Sequence, residues 1–197
     1  MNAKSLIGMS VFAIEGGRHV GSVERLLFSP EEMRVTAFVV TPATRLMDEP
    51  EPQKVLAVDN VRAIGQDAIT VDSESLLDIA ADGEIPAGSV AFDQIEKERV
   101  ITESGDHIGD LSSIDFSEQD YRLDYIEVGR GFLSGSNLIT VDNVIAVGED
   151  VIVVSDRALD PMADDDAEDE VLEVDSRESI VVSDVDDDGK ESTTVFR

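Results

Sequence analysis

The chain has no cysteine and no tryptophan, only two histidines, and 15 basic residues against 44 acidic ones. Each shortage excludes something. Without cysteine there is neither a disulfide framework nor a thiolate metal site. With His19 and His107 as the only imidazoles, the stock of nucleophiles and general bases is thin. No phosphate-cradling glycine loop with lysine, His-Glu-x-x-His or Gly-x-Ser-x-Gly pattern occurs, so the expectation is a protein that is not an enzyme and carries no cofactor. A formal charge of −29 repels the phosphate backbone and excludes nucleic acid as a direct partner. Long hydrophobic runs are missing too. The first apolar stretch is broken by Gly8, Ser10 and Glu15, which fits neither a signal peptide nor a spanning helix, and the expected location is cytoplasmic without a membrane anchor.

What is present is a repeat. Gly17-Arg18-His19-Val20-Gly21 returns as Gly105-Asp106-His107-Ile108-Gly109, and Val58-Asp59-Asn60-Val61 returns as Val141-Asp142-Asn143-Val144. The first pair is 88 residues apart and the second 83, so one loop is shorter in the second copy. A copy of about 75 residues is near the lower limit for a self-sufficient core, so two copies have reason to lean on each other.

Strand signals dominate both copies. In the first, residues 10–14, 21–28, 34–41, 55–57 and 68–71 are short, β-branched and separated by turn residues; in the second the equivalents are 99–102, 109–116, 122–128, 138–139 and 151–154. Val35, Ala37, Phe38 and Val40 map onto Leu123, Tyr125, Ile126 and Val128, which predicts a strand apolar on both faces in each copy. Gly17, Gly21, Gly105 and Gly109 are expected at turns, where a positive φ angle suits glycine. Residues 42–54 and 129–137 form the loop that differs most between copies, the natural place for divergent function.

The predicted architecture is all-β, with two small, mostly antiparallel barrels at 1–73 and 97–158. A linker at 74–96 carries a short helix over 73–81, where Leu76, Leu77, Ile79 and Ala80 fall at helical spacing. From 159 to 197 the composition becomes acidic and poor in aromatics, which predicts a largely disordered tail.

The Leu6-Ile7-Gly8 opening with Val11, the Gly-x-x-[Val/Ile]-Gly hairpin and the closing Val61 to Val71 segment resemble the PRC-barrel family, and the second copy resembles another member. The resemblance implies a small β-barrel, as in the cytoplasmic part of the photosynthetic reaction-centre H subunit and in a ribosome-maturation factor; archaeal division proteins of the family are also known. It implies docking onto other proteins and brings no catalytic residues. The membrane helix of the H subunit and the extra N-terminal domain of the maturation factor have no counterpart in this chain.

Candidate chemistry is sparse. His19 and His107 sit at equivalent positions and read as polar residues near turns, unless a pseudo-twofold arrangement brings them together. Asp59-Asn60 and Asp142-Asn143 read as turn caps. Asp184, Asp186 and Asp188 followed by Gly189 match the opening of a calcium loop, but Val195 stands where the bidentate acid belongs, leaving weak metal candidates. Ile180-Val181-Val182-Ser183-Asp184 is identical to Ile152-Val153-Val154-Ser155-Asp156, so Ile180, Val181 and Val182 are candidates for a tail strand that docks on a sheet edge. The expected function is a non-enzymatic protein-binding or assembly module with a protein partner, and self-association is open. The alternatives are an adaptor that binds a basic ribosomal protein and a weak cation-binding protein.

Overall fold

The computed structural model describes residues 1–43, 51–79, 85–130, 135–148, 150–159, 182–185 and 191–194. The chain divides into two units, 1–160 and 161–197.

In the larger unit the first copy runs α1 (Ala3–Leu6), β1 (Ser10–Ala13), β2 (Arg18–Ser29), β3 (Arg34–Pro42), β4 (Lys54–Ala57), β5 (Val61–Ile64), β6 (Ala68–Val71) and β7 (Asp78–Ile79). The second runs β8 (Val90–Ala91), α2 (Phe92–Ile95), β9 (Arg99–Thr102), β10 (His107–Phe116), β11 (Leu123–Gly129), β12 (Ser136–Thr140), β13 (Val144–Val147) and β14 (Val151–Val154). The sheet orders are β5-β6-β1-β2-β3-β4-β7 and β13-β14-β9-β10-β11-β12. Six strands therefore match one for one between the copies. Each sheet has one parallel pair, β1 with β6 and β9 with β14; all other pairings are antiparallel, and both sheets curl as barrels do.

The second copy begins earlier than the repeat predicts. Phe92–Ile95 is the counterpart of Ala3–Leu6, and the turns that follow make the same hydrogen bonds. Gly8 N donates to Val23 O and Val23 N to Met9 O; Lys97 N donates to Leu111 O and Leu111 N to Glu98 O. The positive φ of Gly8 (84°) is matched by Lys97 (75°), so the repeat was hidden where a lysine stands in for a glycine.

The helix expected over 73–81 does not form across its described part. Ser73 caps a single 3-10 turn, Glu74–Leu76, and the chain then enters β7, which pairs with β4 as Lys54↔Ile79 and Val55↔Asp78. Leu77 is buried, while Asp78 and Ile79 of β7 are both exposed, so the apolar residues of this segment do not form the buried stripe of a helix. Ala80 lies outside the described residues. Two short strands, β5 and β13, were not anticipated; each closes a hairpin through Gly65 N to Ala68 O and Gly148 N to Val151 O.

The two copies share one core. Leu6, Leu26, Phe28 and Phe38 of the first and Phe116, Leu123 and Ile126 of the second belong to a single buried cluster. They are joined by reciprocal exchange. Asn2 bridges to Asp115 of β10, while Ala91 pairs with Leu27 of β2, the equivalent position. Met1 N donates to Phe116 O, and Phe116 N donates back to Met1 O. At the centre Arg34 bridges to Arg122, its own counterpart, flanked by Val35 N to Tyr121 O and Leu123 N to Met33 O, both 2.8 Å. A contact between equivalent residues, repeated in both directions, is the mark of twofold symmetry. Residues 1–160 thus have the form of a dimer made within one chain.

In the smaller unit β15 (Val182–Val185) pairs antiparallel with β16 (Glu191–Thr194). The tail expected to be largely disordered therefore contains a hairpin.

Candidate functional site

The repeated residues serve the scaffold. Gly17 and Gly105 have positive φ, 58° and 88°, and sit at turns as expected. Gly21 and Gly109 do not sit at turns; they lie inside β2 and β10, Gly109 with a φ of 148°. A Cβ at Gly21 would come within 2.1 Å of Thr41 O, and one at Gly109 within 2.3 Å of Gly129 O. Glycine is needed there because a neighbouring backbone passes too close for any side chain.

The histidines remain apart. His19 and His107 lie at the ends of β2 and β10 remote from the Arg34–Arg122 bridge, roughly 30 Å along the extended chain. His19 packs on Phe12 with ring centroids 5.0 Å apart, and His107 Nε2 lies 3.3 Å from Asp110 Oδ1. The contacts each histidine makes lie within its own copy.

Asn60 and Asn143 lie within matching 3-10 turns, Val58–Asn60 and Val141–Asn143. Neither turn has a side-chain cap, so the capping role expected of the Asp-Asn pairs is replaced by longer ties. Asn60 Nδ2 donates to Leu76 O, and Asn143 Oδ1 accepts from Ser155 Oγ. Asp59 Oδ1 accepts from Arg34, whereas Asp142 is exposed.

Among the tail candidates, Asp184 is in β15; Asp186, Asp188, Ile180 and Val181 lie outside the described residues. Val182 begins β15, so the repeated pentapeptide occupies different positions in its two strands. In β14 it supplies the last three residues, and in β15 the first three. No cluster of three metal-ligating side chains occurs among the described residues.

The copies diverge on the outer face of the sheets. In the first, Leu27, Ala37 and Val39 face outward and are buried beneath Ala91, with Val55 and Ile85 packed against them. In the second the corresponding residues are Asp115, Tyr125, Glu127 and Leu138. Asp115, Tyr125 and Glu127 are half-buried, and Leu138 is 58% exposed. The expectation that both faces stay apolar in both copies therefore fails for the second, where two carboxylates replace aliphatic residues. Next to this face a polar cleft of about 600 Å³ is lined by residues that include Asp120, Arg122, Asp124, Tyr125, Thr140 and Asp142. Hydrogen bonds from the Ser117 side chain and the Arg122 backbone hold the Asp120 carboxyl below its ordinary value, keeping it ionised. Arg34, the counterpart of Arg122, is tied to Asp59 Oδ1 at 3.3 Å and to Asp120 O at 2.9 Å.

Of the divergent loops at 42–54 and 129–137, residues 44–50 and 131–134 lie outside the described residues. The outer face was missed from sequence because Tyr125 preserves apolar character at one position, while Asp115 and Glu127 were not set against Leu27 and Val39.

No helix among the described residues is long and apolar enough to cross a membrane. Comparison with curated proteins returned no match. The family model of the PRC-barrel domain matches twice, at residues 1–77 and 88–181. Its second match takes in β8 and α2, as the exchanged segments require, and the chain belongs to the PRC-barrel domain family as a tandem member.

Proposed function

We propose that this protein is a non-enzymatic docking module whose binding surface is the outer face of the second barrel. The observation that carries the reading is the asymmetry of two otherwise matched sheets. One outer face is closed over Leu27, Ala37 and Val39 by the segment between the copies; in its counterpart Asn2 meets Asp115, Tyr125 and Glu127 are half-buried, and Leu138 is exposed. Residues common to both copies are spent on turns, close backbone approaches and the core, so differences between the copies are where selection for a partner would act. The acidic surroundings suit a basic protein partner, and a basic ribosomal protein is one member of that class.

Affinity capture from native lysate, with the intact chain and with a form ending at residue 160, tests this at low and high salt. The expected result is a specific captured protein from both forms, with capture weakening as salt screens the carboxylates. Failure of either form to retain any protein at low salt would contradict the reading.

A further inference from the structure

We propose that the edge of β12, unpaired among the described residues, is a strand-docking site for an extended segment of a different protein, one that alternates basic and apolar residues. The inference rests on the docking reading above and gives it a location and a partner chemistry.

Sheet edges are sticky, and proteins blunt them with brevity, charge, proline or bulges. Among the described residues of 1–160, the strands that end the two sheet orders are β5, β7, β12 and β13. β7 has only two residues. β5 and β13 each carry a register shift, at Val61/Ala63 and Val144/Ala146. β12 has none of these protections. Ser136-Asn137-Leu138-Ile139-Thr140 is uncharged, lacks proline and pairs with β11 in unbroken register.

The first barrel shows how such an edge is covered. β4, the counterpart of β12, receives β7 in antiparallel pairing, with Val55↔Asp78. Leu138 stands in the position of Val55. The chain reaches β7 seven residues after β6 ends, from Val71 to Asp78. The same step from Val154 arrives at Pro161, which has no N–H to give to a ladder.

Charge selects the occupant. Glu127 faces outward directly beside Leu138 on β11, and Asp115, Asp124 and Asp142 are close by in the sheet and the adjoining cleft. A second copy of this chain carries −29, so it is repelled. A segment with lysine or arginine next to Glu127 and an aliphatic side chain beside Leu138 gains from main-chain pairing and opposite charge together.

The test is amide hydrogen exchange on the full chain with a peptide of about seven residues alternating lysine and valine, an ordinary strand length. With peptide at about ten times its Kd, exchange of the amides of 136–140 that do not bond to β11 should slow by about tenfold, whereas 54–55, already paired with β7, should not change. The peptide with glutamate in place of lysine should leave 136–140 unprotected, and Leu138→Lys should abolish the protection without lowering the melting temperature. Absence of slowing, equal slowing by the acidic peptide, or protection in the free chain of those amides of 136–140 that do not bond to β11 would each overturn the proposal. A partner captured from lysate whose retention is indifferent to Leu138→Lys would leave the docking reading standing and remove this site from it.

Discussion

Glycine at 21 answers a shortage of space, glycine at 17 and 105 answers a torsional demand, and glycine at 109, with φ 148°, answers both; the two needs have different costs. A methyl group at Gly21 or Gly109 meets a carbonyl oxygen of the adjacent strand, at 2.1 and 2.3 Å, and β3 or β11 must move to admit it. At Gly17 and Gly105 nothing lies within 4 Å, and only the positive φ opposes a side chain. Alanine should cost about 1 kcal/mol at 17 or 105, and about 3 kcal/mol or more at 21 or 109, where overpacking falls on backbone. Urea unfolding of the four single variants checks the order, and equal losses at all four would remove the distinction. Lys97 gives the reverse case. It holds φ 75° where the first copy has Gly8, so Lys97→Gly should raise stability by up to about 1 kcal/mol, the left-handed penalty less the entropy glycine loses on folding. A decrease in the urea midpoint would contradict this.

At the level of elements, the exchanged N-terminal segments hold the copies together, and Asn2 is the residue most committed to that contact. Its Oδ1 accepts from Lys4 N and from the Ser113 hydroxyl, and its Nδ2 donates to Asp115. Ser113 is 1% exposed. Asn2→Ala should cost about 2 kcal/mol, from a lost cap and a buried hydroxyl left without its acceptor. Adding Ser113→Ala should recover part of that loss, because the orphaned hydroxyl is then gone. Thermal melts of the two single variants and the double variant measure the coupling, and strict additivity would show that the contact is not shared. Most strands were legible in the sequence because β-branched runs between glycine turns are a local signal. The segment at 73–81 was misread because Leu76, Leu77 and Ile79 fit a helix as well as an edge strand; the vacant edge of β4 decides the matter, and it is remote in sequence. The start of the second copy was hidden for a similar reason, since Phe92-Asp93-Gln94-Ile95 shares almost no identity with Ala3-Lys4-Ser5-Leu6. The candidate face was legible only in part, because its meaning depends on which residues cover Leu27 and leave Leu138 bare.

For the molecule as a whole, duplication did not produce two independent barrels. Residues from both copies fill one core, and β8 and the Met1-Asn2 segment each complete the sheet of the other copy. Symmetry then limits where the copies can differ, because positions near the Arg34–Arg122 bridge must satisfy both halves at once, and divergence is left to outer faces and loops. A barrel whose sheet is completed by the other copy should not melt by itself. The direct measurement is residue-resolved urea unfolding of the full chain by NMR, following Ile69 in the first barrel and Ile152 in the second, both fully buried or nearly so. A shared core and reciprocal exchange predict one midpoint and one slope for both amides, whereas two separated transitions would contradict the single-unit architecture.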